Sequence, residues 1–158
     1  MLRFAVLLMI AASAAAAPAP RIVAAAGRWA ALAGAGQCDA ASLSLLPASK
    51  TRLQGRASLS FDGRSRHGQF AAALSRPVAS GASVMLTIDD QPFLLVARGP
   101  GAWSRGPVQE AAIIAAMRSA TRMRIEGRSE RGRRFIDRYD LAGAPTAIDA
   151  AAACAAAL

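Results

Sequence analysis

Arginine is the residue type in this sequence best placed to do chemistry, because seven arginines lie between residues 122 and 138. Alternate residues of a β-strand point to the same face, so Arg122 shares a face with Arg124, and Arg134 shares one with Arg138. Guanidinium groups bind phosphate and carboxylate oxygens through paired hydrogen bonds. The spacing therefore predicts a basic patch formed by these four arginines that would bind an anionic partner.

The same arginines admit a simpler interpretation, in which they are solvated charges that keep a sheet edge from pairing with another chain. Carboxylates lie among them and would neutralise part of the charge: Glu126, Glu130, Asp137 and Asp140. Aromatic stacking surfaces would help nucleic-acid recognition, whereas Phe135 and Tyr139 fit core or half-core positions. We expect no specific nucleic-acid binding, and the choice between a binding patch and a solvated hairpin stays open.

His67 is the single histidine, and it follows the Asp62-Gly63 turn signal. A catalytic triad would require a nucleophile and a carboxylate around it, and the sequence has no Gly-x-Ser-x-Gly element. Asp89 and Asp90 are adjacent and would point in different directions, which favours a turn over a shared catalytic or calcium-binding role. We predict no catalytic residue, no metal site and no cofactor, and hence a protein that is not an enzyme.

The two cysteines, Cys38 and Cys154, lie near the two ends of the chain and lack the Cys-x-x-Cys spacing of redox motifs. In an oxidising compartment they would form a disulfide that encloses nearly the whole domain. The chain-entropy model gives such a bridge about 4 to 5 kcal/mol. The alternative is two unpaired buried thiols, but an exported chain with only two cysteines favours the bridge.

Residues 1–17 have the organisation of a secretory signal peptide: a positive start, an apolar run and a small-residue cleavage region. Cleavage is predicted near residues 14–19. The apolar run is also too short to remain as a membrane span, so we expect no transmembrane span in the mature chain. The protein is therefore expected to be exported, either periplasmic or extracellular. Residues 18–26 are predicted to be a flexible lead-in, and residues 27–158 a single β-sandwich domain.

Charge narrows the choice of partner, because the 158-residue chain has 19 basic and 10 acidic residues and a net charge of +9. Such a chain is attracted to anionic surfaces, and salt screens that attraction. For an exported protein, the candidate partners are an unknown protein, a glycan or an anionic lipid headgroup of the cell envelope.

Alternating and helical patterns predict the elements that position these residues. Asp89-Asp90-Gln91-Pro92 is predicted as a four-residue turn, and Gly99-Pro100-Gly101 is expected to break the sheet. The pattern as a whole predicts an antiparallel β-sandwich with one internal helix and one C-terminal helix. The predicted strands cover residues 29–32, 53–61, 69–74, 83–88, 93–97, 122–126 and 134–139, and the helices begin near residues 107 and 145.

Several segments of the chain resemble the invasion-associated locus B family, whose members are small exported bacterial proteins. The segments are residues 83–89 (SVMLTID), 92–93, 109–114 (QEAAII), 132–135 (GRRF) and 143–148 (GAPTAI), with residues 27–29 and Cys38 at the start. The resemblance implies an immunoglobulin-like sandwich and an envelope setting. The chain departs from many members in having no further cysteine pair in its middle.

These observations lead to three functional hypotheses. The first is an exported, non-enzymatic binding or envelope-associated protein that contacts anionic surfaces through the Arg-rich hairpin. The alternative is an envelope hydrolase or hydrolase inhibitor, which would need a pocket that brings His67 near a carboxylate or serine. The third is a structural envelope protein with no specific ligand.

Overall fold

The computed structural model describes residues 19–158, so the predicted signal peptide lies outside the described residues. The elements are β1 (Arg21–Ala26), β2 (Trp29–Gly34), β3 (Gln37–Leu43), β4 (Arg56–Phe61), β5 (His67–Val78), β6 (Val84–Ile88), β7 (Gln91–Trp103), α1 (Pro107–Ser119), β8 (Arg122–Arg128), β9 (Arg134–Asp140) and α2 (Ala144–Ala156). The prediction of a mainly antiparallel β fold with one internal and one C-terminal helix is confirmed.

The described strands form one nine-stranded antiparallel sheet in the order β1-β2-β3-β4-β5-β7-β6-β8-β9. The long strand β7 connects its two parts: its first residues pair with β6, and its last residues pair with β5. An immunoglobulin-like sandwich has two separate sheets, whereas these strands belong to one continuous sheet. The immunoglobulin-like form therefore stays a prediction.

The β8–β9 hairpin, at one end of the strand order, contacts segments that are far from it in that order. These contacts indicate that the sheet curls. The backbone N–H of Leu45, in the β3–β4 connection, donates to the Arg138 carbonyl of β9 at 2.7 Å. At the other end of the β8–β9 hairpin, the Glu130 N–H donates to the Pro77 carbonyl of β5 at 3.0 Å. The β8–β9 hairpin is thus fixed against two other segments of the chain.

The core is one cluster of buried side chains from the curled sheet and from both helices. Strand alternation buries one face, as in β4, where Ala57, Leu59 and Phe61 are buried. Helix α2 packs on β1 to β4 and α1 packs mainly on β5. Small side chains on the buried face of α2 allow it to lie close to the strands: Ala144, Ala147, Ala151 and Ala155.

A disulfide joins Cys38 on β3 to Cys154 on α2, as the two-cysteine argument predicted. The two cysteines are 116 residues apart in the sequence, and the bridge ties the C-terminal helix to the sheet. A second link between elements is the exposed ion pair of Arg118 on α1 with Asp149 on α2.

Three local predictions are wrong, each for a physical reason. Residues 21–26 are not a flexible lead-in but the edge strand β1, which pairs with β2. Gly99-Pro100-Gly101 does not break the sheet: it lies within β7 where pairing with β5 is irregular, so Pro100 interrupts no regular ladder. The β6–β7 turn has two residues, Asp89 and Asp90, because Ile88 pairs directly with Gln91.

Candidate functional site

The four arginines predicted as a basic patch line one cleft of about 550 Å³, here called the hairpin cleft. Strand alternation brings them together: Met123 and Ile125 are buried, which turns Arg122 and Arg124 outward. On β9 the same rule turns Arg134 and Arg138 outward. Asp89 and Glu126 add two carboxylates to the lining.

Two of the four guanidinium groups are paired. The Glu126 Oε2 atom lies 3.1 Å from Arg134 Nη2 and 3.8 Å from Arg124 Nε. Arg122 and Arg138 form no salt bridge within residues 19–158. Four arginines against two carboxylates leave the cleft lining with a net charge of +2.

Arg124 and Arg138 occupy directly opposite positions on β8 and β9. Like charges in this arrangement destabilise an antiparallel strand pair. Both side chains are exposed, so solvent screens part of the repulsion. The two arginines therefore add no attraction between β8 and β9, and both guanidinium groups lie at the solvent-exposed surface, that of Arg124 beside Glu126.

The residues considered for catalysis are not assembled into a triad. His67 is exposed at the first position of β5 and lines a shallow groove with Ser65 and Glu110. No hydrogen bond joins these three side chains in the described structure, and Glu110 Oε1 instead accepts one from Ser104 Oγ at 2.9 Å. Residues 19–158 contain no cluster of three or more His, Cys, Asp or Glu side chains able to hold a metal ion.

Asp137 was predicted among the carboxylates that neutralise the arginines, and this prediction is wrong. Its side chain faces the core and is 3 % exposed, with Oδ2 accepting a hydrogen bond from the Ser75 N–H at 3.0 Å. Burial, and then the nearby Asp137 charge, raise the pKa of Tyr139 far above its usual range. Alternation with Phe135 and Tyr139 is the sequence signal that could have placed Asp137 inside.

Ser75 Oγ and the Tyr139 hydroxyl are also buried, and neither has a hydrogen-bond partner within residues 19–158. A β-carbon on Gly55 would lie 2.8 Å from Asp137 Oδ2 and 2.9 Å from the Tyr139 hydroxyl, so glycine is needed there. Sequence reasoning missed this buried polar group because its members come from separate segments.

Comparisons with protein-family models, curated proteins and solved structures found no match for the chain. The resemblance to the invasion-associated locus B family is therefore still a prediction. Within residues 19–158, neither helix has the length and apolar character needed to cross a bilayer.

Proposed function

We propose that the protein is an exported, non-enzymatic binding protein of the cell envelope that contacts anionic groups through the hairpin cleft. The observation that carries this proposal is the convergence of four arginines from two strands on one cleft that has only two carboxylates. Guanidinium groups held on adjacent strands can share the oxygens of one phosphate or carboxylate group.

The cross-strand pair of Arg124 and Arg138 supports a binding role. An anion placed between them would relieve the repulsion between the two guanidinium groups. Export is supported by the pattern of residues 1–17, and the disulfide is of the kind that persists in oxidising compartments. Envelope surfaces rich in anionic lipid or glycan are partners of matching charge.

The test replaces Arg122, Arg124, Arg134 and Arg138 by Gln and measures binding to vesicles of phosphatidylglycerol and phosphatidylcholine. Wild-type binding should need the anionic lipid and weaken as salt rises. The variant should lose binding with little loss of fold. A matched control replaces Arg21, Arg28, Arg56 and Arg64 by Gln, which removes the same charge from residues outside the cleft. Equal binding by the two variants would remove the hairpin cleft from the function.

The envelope hydrolase or hydrolase inhibitor is the second candidate, and one observation favours the hydrolase. His67 shares its groove with Ser65 and Glu110, which supplies a base, a hydroxyl and a carboxylate on one surface. Replacement of His67 by Ala should abolish any esterase or amidase activity on a panel of model substrates. An activity that survives this change would rule out His67 as its base.

A further inference from the structure

A second basic cleft, here called the turn cleft, lies at the other end of the β8–β9 hairpin. It measures about 420 Å³ and is assembled from residues 49–53, residues 75–77 and the hairpin turn at residues 129–133. Glu130 is the one carboxylate of its lining. The lining has five cationic side chains: Lys50, Arg52, Arg76, Arg131 and Arg133.

The charge of the turn cleft is not compensated by ion pairs. Within residues 19–158, none of its five cationic groups forms a salt bridge, and neither does Glu130. Five positive charges against one negative charge give its lining a net charge of +4, twice that of the hairpin cleft. Repulsion among these groups raises the free energy of the unliganded cleft.

Backbone hydrogen bonds shape the first segment of the cleft and join the other two. Ser49 N–H donates to the Arg52 carbonyl at 2.8 Å, which closes the first segment into a turn. Glu130 N–H donates to the Pro77 carbonyl at 3.0 Å, which ties the hairpin turn to the end of β5. The cationic side chains are therefore mounted on a backbone that is organised before any ligand arrives.

Two polar atoms of residues that line this cleft are buried and have no partner in the described structure: Arg52 Nε and Ser75 Oγ. The Arg52 guanidinium is held at one end by a bond from Nη2 to the Pro47 carbonyl. Ser75 is 4 % exposed, and its backbone N–H is already used by Asp137. Buried donors are rarely left unpaired in folded proteins, so each of these two atoms requires an acceptor, either a water molecule or an oxygen of a ligand.

We propose that the turn cleft binds a phosphate group, with Arg52 and Ser75 donating to its oxygens and the other cationic side chains surrounding its charge. A phosphate offers three or four acceptor oxygens and up to two negative charges, which suits donors that come from three segments. A carboxylate offers two oxygens in one plane and would leave most of these groups unused.

The first test titrates the folded chain with inorganic phosphate at constant ionic strength and follows the arginine Nε–Hε signals by NMR. The Arg52 signal should shift with saturation, while the Arg64 signal should not. The Arg52→Gln variant should bind phosphate about tenfold more weakly, since it loses a charge-assisted hydrogen bond. The Arg64→Gln variant is the control for the lost charge and should bind as the wild type does.

A second pair of variants covers the case in which Arg52→Gln does not fold. Lys50→Gln and Arg131→Gln change exposed side chains of the same cleft and should each weaken binding several-fold. Vesicles containing phosphatidic acid, tested against phosphatidylcholine alone, identify the source of the phosphate. Binding of the lipid but not of free phosphate, lost in the Lys50 and Arg131 variants, assigns the cleft to a headgroup.

The proposal is overturned if neither free phosphate nor phosphatidic acid shifts the Arg52 signal, or if the turn-cleft variants and Arg64→Gln bind alike. The variant lacking the four hairpin-cleft arginines should still bind phosphate at the turn cleft. The two proposals can therefore fail separately.

Discussion

The two basic clefts share one β-hairpin but differ in how their charge is built. In the hairpin cleft, two neighbouring strands supply all four arginines, and Glu126 pairs with Arg124 and Arg134. In the turn cleft, three separate segments supply five cations, and none is paired within residues 19–158. Among residues 19–158, the lining residues of the turn cleft include two buried polar atoms without a partner, Arg52 Nε and Ser75 Oγ, whereas those of the hairpin cleft include one, the Tyr139 hydroxyl. The number of arginines alone therefore does not distinguish a binding site from a solvated surface.

This difference explains which site could be predicted from the sequence. Arg122 and Arg124 lie two residues apart on one strand, so their shared face follows from strand geometry alone. Arg52, Ser75 and Arg133 are far apart in the sequence and meet only because the sheet curls. No local pattern contains that information, since it depends on the pairing order of nine strands.

Prediction of the fold from the sequence is limited in the same way. Alternating strands and the helix that begins at Pro107 follow from local spacing, and the Cys38–Cys154 bridge follows from the presence of only two cysteines; all were predicted correctly. Strand β1 was missed because its Ala-rich sequence has no clear alternation, and its strand form comes from pairing with β2. The continuity of the sheet through Gly99 and Pro100 was missed because β7 changes its pairing partner there. That change depends on the tertiary structure and not on the local sequence.

Removing the disulfide should have the largest effect on stability and should separate stability from binding. The double variant Cys38→Ser, Cys154→Ser is expected to lose about 4 kcal/mol in free energy of unfolding, because the bridge restricts a very long loop. Guanidinium unfolding of the variant and of reduced wild type measures the loss.

Neither cleft should lose affinity while the variant is folded, because Cys38 lies at the opposite end of β3 from the connection that reaches both clefts. If only one cleft lost binding after reduction, the disulfide would have to position that cleft. The difference in binding between the two clefts would then depend on the bridge as well as on local charge.

The Asp137→Ala variant should have an intermediate effect and act mainly on the turn cleft. It leaves the buried Ser75 N–H without an acceptor, which costs about 2 kcal/mol in free energy of unfolding. Relative to Asp137→Asn, which removes the same charge, it should also weaken phosphate binding at the turn cleft, since Ser75 is no longer held. The Asp137→Asn variant keeps an acceptor oxygen and is the matched control, with a smaller loss in urea unfolding. Equal losses of anion binding in both clefts would contradict a separate role for Ser75.

The Glu126→Gln variant should have the smallest effect on stability and the most direct bearing on the comparison. Exposed ion pairs contribute about 0 to 1 kcal/mol, so loss of the Arg124 and Arg134 pairs should change unfolding by no more than that. The change raises the net charge of the hairpin cleft by one and frees two guanidinium groups, which makes it more like the turn cleft. Binding to phosphatidylglycerol vesicles should strengthen several-fold at low salt, and the gain should disappear at high salt.

The Glu130→Gln variant is the counterpart of Glu126→Gln in the turn cleft, where no pair is broken, so it should change vesicle binding less. If Glu126→Gln instead weakened vesicle binding, Glu126 would be orienting the arginines for the ligand rather than competing with it.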